Sequence, residues 1–169
     1  MIAVVATERS EHRAAVKTLH RTVFGSEYEA ELVDRLDRDG LVVVSLVALA
    51  ADVVVGRVLF SDLAIEIDGR PILAAALAPL AVRPDFQGRG IAVRLVAKGL
   101  RILRDRGRAA VIVLGHPGYY RRFGFSAELG RKLAGPFKGE NFMALELVGR
   151  ALDGLVGSVR YPAAFRIEN

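Results

Sequence analysis

Two hydrophobic periods divide this chain. "IAVVA" (residues 2–6) is a short apolar run that reads as a buried strand. From residue 10 to 24 the spacing becomes helical, with Val16, Leu19, His20 and Val23 on one face. A second helix is predicted over about 29–39, carrying Leu32, Val33 and Leu36 and stopping at Gly40. β-branched runs then take over. "LVVVSLVALA" and "VVVGRVLFSDLAIEI", joined near Ala51-Asp52, predict an antiparallel hairpin that ends at the turn "DGR". "PILAAALAPLAV" (71–82) is the next strand. Pro79 cannot donate to a ladder, so the strand is expected to bulge, end or lie at an edge there.

Past residue 90, Ala92, Val96, Gly99 and Leu103 recur at spacings of four, three and four, which predicts a helix to about Arg106 with Gly107 as its stop. "AAVIVLG" (109–115) is a continuous buried strand. It follows a helical crossover, so it should run parallel to the strand before that helix. "YYRRFGF" (119–125) reads as a short helix ended by Gly124, and "FMALEL" and "GSVRYP" as further strands. The order predicts an α/β fold in which helices flank a mixed, mostly antiparallel sheet containing a parallel pair. No repeat or linker interrupts it, so one domain over residues 1–169 is expected.

Composition narrows the chemistry. The chain has 169 residues, 52% of them hydrophobic, which is enough to bury a core and argues against disorder. Without cysteine there is no disulfide framework, thiolate metal site or cysteine nucleophile. The three histidines (His12, His20, His116) are too scattered for a metal cluster, so no metal is expected. The N-terminus lacks a secretion signal, and the longest apolar run, residues 41–51, is short of the roughly 18 residues of a membrane span. A soluble cytoplasmic protein is the expectation. The net charge of +5 comes mostly from arginines spread along the chain, a pattern of solvated faces more than of a nucleic-acid patch.

One stretch stands apart. In "PDFQGRGIAVRL" (84–95), Gly88 and Gly90 flank Arg89 where a strand gives way to a helix. Amides at a helix start have no intrahelical partner and sit at the positive end of the dipole. The N–H groups of Gly88, Arg89, Gly90, Ile91 and Ala92 are therefore candidate phosphate donors; the other reading is a tight strand-to-helix turn. A Walker loop is excluded, because no lysine–hydroxyl pair follows Gly90. The dinucleotide fingerprint fails as well, since Val93 stands where its third glycine would be.

With those alternatives gone, "LAVRPDFQGRGIAVRLV" resembles the acetyl-CoA-binding segment of the GNAT superfamily of N-acetyltransferases, [QR]-x-x-G-x-[GA], with Gln87, Gly90 and Ala92 at its defined positions. "YYRRFGF" resembles the second segment of that family, and the pair together with "LAPLAV" is similar to a bacterial branch of predicted acetyltransferases. The resemblance implies a GNAT-like fold with the parallel strands splayed. It implies acetyl-CoA as co-substrate, with the backbone of Leu80, Ala81 and Val82 pairing with pantetheine and the diphosphate on Gln87, Gly88, Arg89, Gly90, Ile91 and Ala92. It adds His116 and Tyr120 to the coenzyme-binding set.

For the chemistry, the main-chain N–H near Leu80 is the candidate oxyanion donor, and Tyr120 the candidate hydrogen-bond or proton donor to the departing thiolate. Tyr119, Arg121 and Arg122 are weaker neighbours of that site. The strand before the glycine loop carries no carboxylate, so the base stays open among Glu27, Glu29, Asp62 and His116. The expected reaction is acetyl transfer to a primary amine of a small molecule or peptide. Two alternatives stand beside it: a non-catalytic acyl-CoA-binding domain, and an acetyltransferase of aminoacyl-tRNA. A homodimer stays open, since such folds frequently pair.

Overall fold

A computed structural model describes residues 2–167. Within it the chain forms two compact units, residues 2–60 with Ala78–Ile102, and Ser61–Leu77 with residues 103–167. Hydrogen bonding links the strands β1 (Val4–Thr7), β2 (Val42–Ala50), β3 (Val53–Ile67), β4 (Arg70–Val82), β5 (Ala110–Leu114) and β7 (Phe142–Glu146) in that order, with β8 (Gly157–Arg160) on β3 and β6 (Leu133–Ala134) on β8. The long strands β3 (Val53–Ile67) and β4 (Arg70–Val82) pass from one unit into the other.

In the first unit, β1 (Val4–Thr7) pairs antiparallel with β2 (Val42–Ala50), Val4 opposite Leu49. The predicted first helix resolves into a 3₁₀ turn, Ser10–His12, and α1 (Arg13–Phe24). Val16 and Leu19 of α1 are buried in one cluster with Val47, Val54 and Ala81. Gly25, left-handed at φ 65°, caps α1 by donating to the carbonyl of Arg21. Helix α2 (Tyr28–Arg38) ends as its glycine predicts: Gly40 has φ 69°, and Leu41 N–H reaches back to the carbonyl of Leu36 at 2.9 Å. At the β2–β3 turn, Ala51 and Asp52 are both left-handed (φ 47° and 65°), the conformation whose twist suits a two-residue hairpin.

Helix α3 (Ile91–Asp105) buries more of its surface than the predicted stripe. Ile91, Leu95 and Leu100 join Val96 and Leu103 in the core. Gly99 sits directly under the fully buried Phe60, and a Cβ at this position would overlap the ring. A glycine inside a helix ordinarily weakens it; here the aromatic requires it. Gly99→Ala is therefore expected to lose about 1–3 kcal/mol in urea unfolding despite alanine's higher helix propensity. A neutral or stabilised variant would contradict the packing.

In the second unit, β5 (Ala110–Leu114) runs parallel to β4, with Ala74, Ala75 and Ala76 opposite Ala110, Val111 and Ile112. It pairs antiparallel with β7 (Phe142–Glu146) over its whole length. The ladder between β4 and β5 covers only those three pairs, and Pro79 lies beyond it. The strand neither ends nor breaks at the proline, contrary to one expectation: β4 continues to Val82. Ala64–Ile67 of β3 pair antiparallel with β8 (Gly157–Arg160). A second, two-residue parallel contact joins β8 to β6 (Leu133–Ala134). Arg108 ties this unit internally, donating to Asp62 and, at 2.8 Å, to the carbonyl of Ala74. No helix among the described residues is long and apolar enough to cross a membrane.

Candidate active site

In the first unit, strand β4 delivers Leu80, Ala81 and Val82 to a 3₁₀ turn, Pro84–Phe86, and then to the glycine loop. Ala81 and Val82 are buried and Leu80 half-buried, whereas residues 87–90 are exposed. The Gln87 side chain folds back, its Nε2 donating to the carbonyl of Val82 at 2.9 Å, and so clamps the loop to the strand. Gly88 and Gly90 have φ of 74° and 77°, which side-chain-bearing residues rarely adopt, and open space surrounds both. The first helical bond of α3 runs from Arg94 N–H to the carbonyl of Gly90 at 3.1 Å. The amides of Ile91, Ala92 and Val93 thus precede any intrahelical donor and face the start of a fifteen-residue helix. Arg89 lies over the Phe86 ring at 4.9 Å, keeping its charge beside the loop.

In the second unit, His116 and Tyr120 come together on α4 (Pro117–Tyr120). His116 is the N-cap residue and is exposed. Its carbonyl accepts from the N–H groups of Tyr119 and Tyr120, both at 3.1 Å, and so starts the helix. The Tyr120 ring makes edge contacts with Tyr119 and Phe125 and lies on Gly115, where any Cβ would collide with it. That makes Gly115 a positioning residue for the tyrosine, which its place at a strand end does not reveal in the sequence. Burial, with Tyr119 adding a little, pushes the Tyr120 phenol up to about 12. It stays protonated at neutral pH, a donor and not a base. Tyr119 has a buried hydroxyl without a protein partner among the described residues, and its ring is capped by Arg122 at 4.3 Å. Arg122 also donates to the carbonyl of Tyr119 at 2.9 Å; Arg121 is exposed.

The candidate bases are mostly engaged elsewhere. Glu27 takes both of its contacts from Arg21 Nε, at 2.8 and 3.0 Å, and Asp62 is paired with Arg108. Glu29 accepts from the Ser26 hydroxyl at 2.8 Å. Among the described residues no group of three or more histidine or carboxylate side chains could hold a metal ion.

A polar cluster that periodicity did not suggest lies in the first unit. Arg57, on the apolar strand β3, is only 2% exposed. Its Nε donates to Glu8 Oε2 at 3.0 Å, its Nη2 is ion-paired with the same oxygen at 2.8 Å, and both donate to the Ser45 hydroxyl (3.2 and 3.0 Å), while that hydroxyl itself donates to Glu8. His20 is fully buried nearby. Burial first, and Arg57 second, bring its pKa down to about 4 from an ordinary 6.5. Between those values the unfolded chain binds a proton that the folded protein refuses. Stability is therefore complete above about pH 6.5 and falls as the pH is lowered toward 4. Urea unfolding should show the protein losing about 2–3 kcal/mol more than His20→Leu between pH 7 and 4.5. Parallel pH profiles of the two would contradict the assignment.

A strand that feeds a glycine loop and a long helix within a mixed sheet, followed by a crossover to a parallel strand, places the chain in the α/β class, with an open helix start suited to an anion. Comparison with known proteins narrows the class. The family model described as an acetyltransferase (GNAT) domain matches residues 5–127. The uncharacterized N-acetyltransferase YhbS of Escherichia coli K12 is 37% identical over 153 residues, covering 89% of this chain and 90% of the relative. The crystal structure of E. coli YhbS in complex with CoA superposes with a TM-score of 0.89 at 34% identity, over 98% of this chain and 93% of that one. A GNAT acetyltransferase from Brucella melitensis in complex with acetyl-CoA gives 0.78 at 31%, over 96% and 97%. The chain belongs to the GNAT family of N-acetyltransferases.

Proposed function

We propose that this protein transfers the acetyl group of acetyl-CoA to a primary amine of a small molecule or peptide by direct attack on the thioester. The observation that carries the proposal is the 87–92 loop. Two left-handed glycines, a side-chain clamp and a helix start present unpaired amides of the kind that holds a diphosphate. Support comes from the two relatives above, whose structures hold CoA and acetyl-CoA.

The amine nitrogen adds to the thioester carbonyl carbon, the C–S bond breaks, and the sulfur leaves as a thiolate while the new ammonium gives its proton to solvent. The N–H near Leu80 serves the oxyanion, and Tyr120 serves the sulfur. A phenol at about 12 is a much weaker acid than a thiol near 8.5, so Tyr120 acts by donating a hydrogen bond to the thiolate, without full proton transfer. Arg89 and the amides of residues 88–92 hold the diphosphate.

Acetyl-CoA at about 100 times its Kd should add about 2.7 kcal/mol to the melting free energy. Thiol release should then appear with some amine in a screen of polyamines, aminoglycosides, amino acids and peptides. No shift at saturating coenzyme would refute the coenzyme reading; a shift without turnover on any amine would favour a non-catalytic binding domain.

A further inference from the structure

In the second unit, a cleft of about 420 Å³ opens beside β6 and the loop that leads into β8. The acetyl-transfer proposal makes no use of it, yet it has the size of a small-molecule site, about 300–1,000 Å³. Its floor is apolar: Leu133 and Phe142 are buried there, and Phe137 packs edge-on against Tyr161 at 5.5 Å. Its rim carries Leu155 and Val156, which are 96% and 70% exposed.

The backbone holds those two side chains out in a fixed position. The Asp68 carboxylate accepts from the Leu155 N–H at 3.0 Å and from the Val156 N–H at 2.8 Å. In return, the Asp68 N–H donates to the Val156 carbonyl at 2.8 Å. Two neighbouring aliphatic side chains on a tethered loop form an apolar contact prepared in advance, with little left for a ligand to order.

The charge lining the cleft is positive. Arg131, Lys132 and Lys138 line it, and among the described residues no carboxylate does. Lys132 is paired with Asp153 at 3.3 Å, whereas Arg131 and Lys138 form no ion pair among the described residues. Arg131 also borders a neighbouring cleft that holds Glu128 and Glu140, so the half-buried Lys138 is the principal anchor for an anion. A ligand that matches both features has an apolar body and one negative end. The floor rings Phe137, Phe142 and Tyr161 are already packed on one another, so the apolar surface open to a ligand is mainly aliphatic and suits an alkyl chain. A carboxylate suits an ammonium backed by a guanidinium. An amine would meet three cations and no acceptor side chain, and a polyanion without an apolar body would leave the aliphatic rim in water.

We infer that this cleft is a binding site for an aliphatic carboxylate, its chain on Leu155 and Val156 and its headgroup on Lys138 with Arg131. The inference rests neither on the coenzyme loop nor on the acetyl-transfer reading.

The test is a titration of the full chain, without coenzyme, observed at the backbone amides of Gly139, Leu155 and Val156 by ¹H–¹⁵N correlation. Octanoate is the probe. Acetate, which has the headgroup without the chain, and octylammonium, which has the chain with the opposite charge, are the controls. Octanoate should shift the three signals saturably with a midpoint of about 1 mM or below, while both controls leave them unmoved at that concentration. The double variant Leu155→Ser/Val156→Ser should raise the midpoint at least about tenfold, and Lys138→Gln about threefold. The double variant keeps its fold, because both side chains stand in solvent and the amide contacts to Asp68 remain. No saturable shift up to about 10 mM octanoate, an equal response to octylammonium, or an unchanged midpoint in the double variant would overturn the proposal.

Discussion

Replacing Tyr120 with phenylalanine is expected to lower kcat of acetyl transfer by about 10²–10³-fold while coenzyme affinity stays within a few-fold. The ring keeps its place, because Gly115, Tyr119 and Phe125 hold it by shape and edge contacts that phenylalanine repeats. Only the donor is lost. A hydrogen bond aimed at a charge that develops as the C–S bond breaks acts in the transition state, so the loss falls on kcat and not on KM. Gly115→Ala should move the same readout the same way, since its methyl group displaces the ring. Steady-state kinetics with acetyl-CoA and the best amine from the screen check both. A Tyr120→Phe variant with full turnover would remove Tyr120 from the mechanism.

The largest stability effect is expected at Glu8. Glu8→Ala should cost about 3–5 kcal/mol, because it leaves Arg57 charged, buried and without its counter-ion. The double variant Glu8→Leu/Arg57→Met removes both charges and should recover most of that loss, since well-packed apolar replacements of buried ion pairs are often neutral or better. Urea denaturation of wild type, single and double variants forms the cycle. If Glu8→Ala unfolds within 1 kcal/mol of wild type, solvent reaches Arg57 and the pair is not a buried one.

The features legible in the sequence are those that local pattern dictates. Helical spacing locates α1, α2 and α3, β-branched runs locate β2 and β3, and continuous apolar runs locate β4 and β5, within a few residues. Gly40 and Gly124 mark real stops, with left-handed φ of 69° and 95°. The glycine loop was legible because its signal is contiguous: a strand, two glycines and a helix start.

The features that escaped depend on distant partners. Arg57 reads as a polar interruption in an apolar strand, and its burial is explained by Glu8, 49 residues earlier, together with Ser45. Gly99 looks like a helix defect until Phe60 is placed over it, and Gly115 like a strand end until Tyr120 covers it. The short elements α5 (Ala127–Gly130) and β6 carry too few residues for any period to be read. His20 reads as one more position on a helix face, and nothing nearby in the chain marks it as fully buried.

The central claim is that the main-chain amides of residues 88–92 grip the coenzyme diphosphate. Backbone ¹H–¹⁵N spectra recorded during a CoA titration test it most directly. The amide signals of Gly88, Gly90 and Ile91 should move downfield together and saturate at the Kd measured by calorimetry. If CoA binds and those three signals stay still while others shift, the diphosphate is held elsewhere and the account of this loop is wrong.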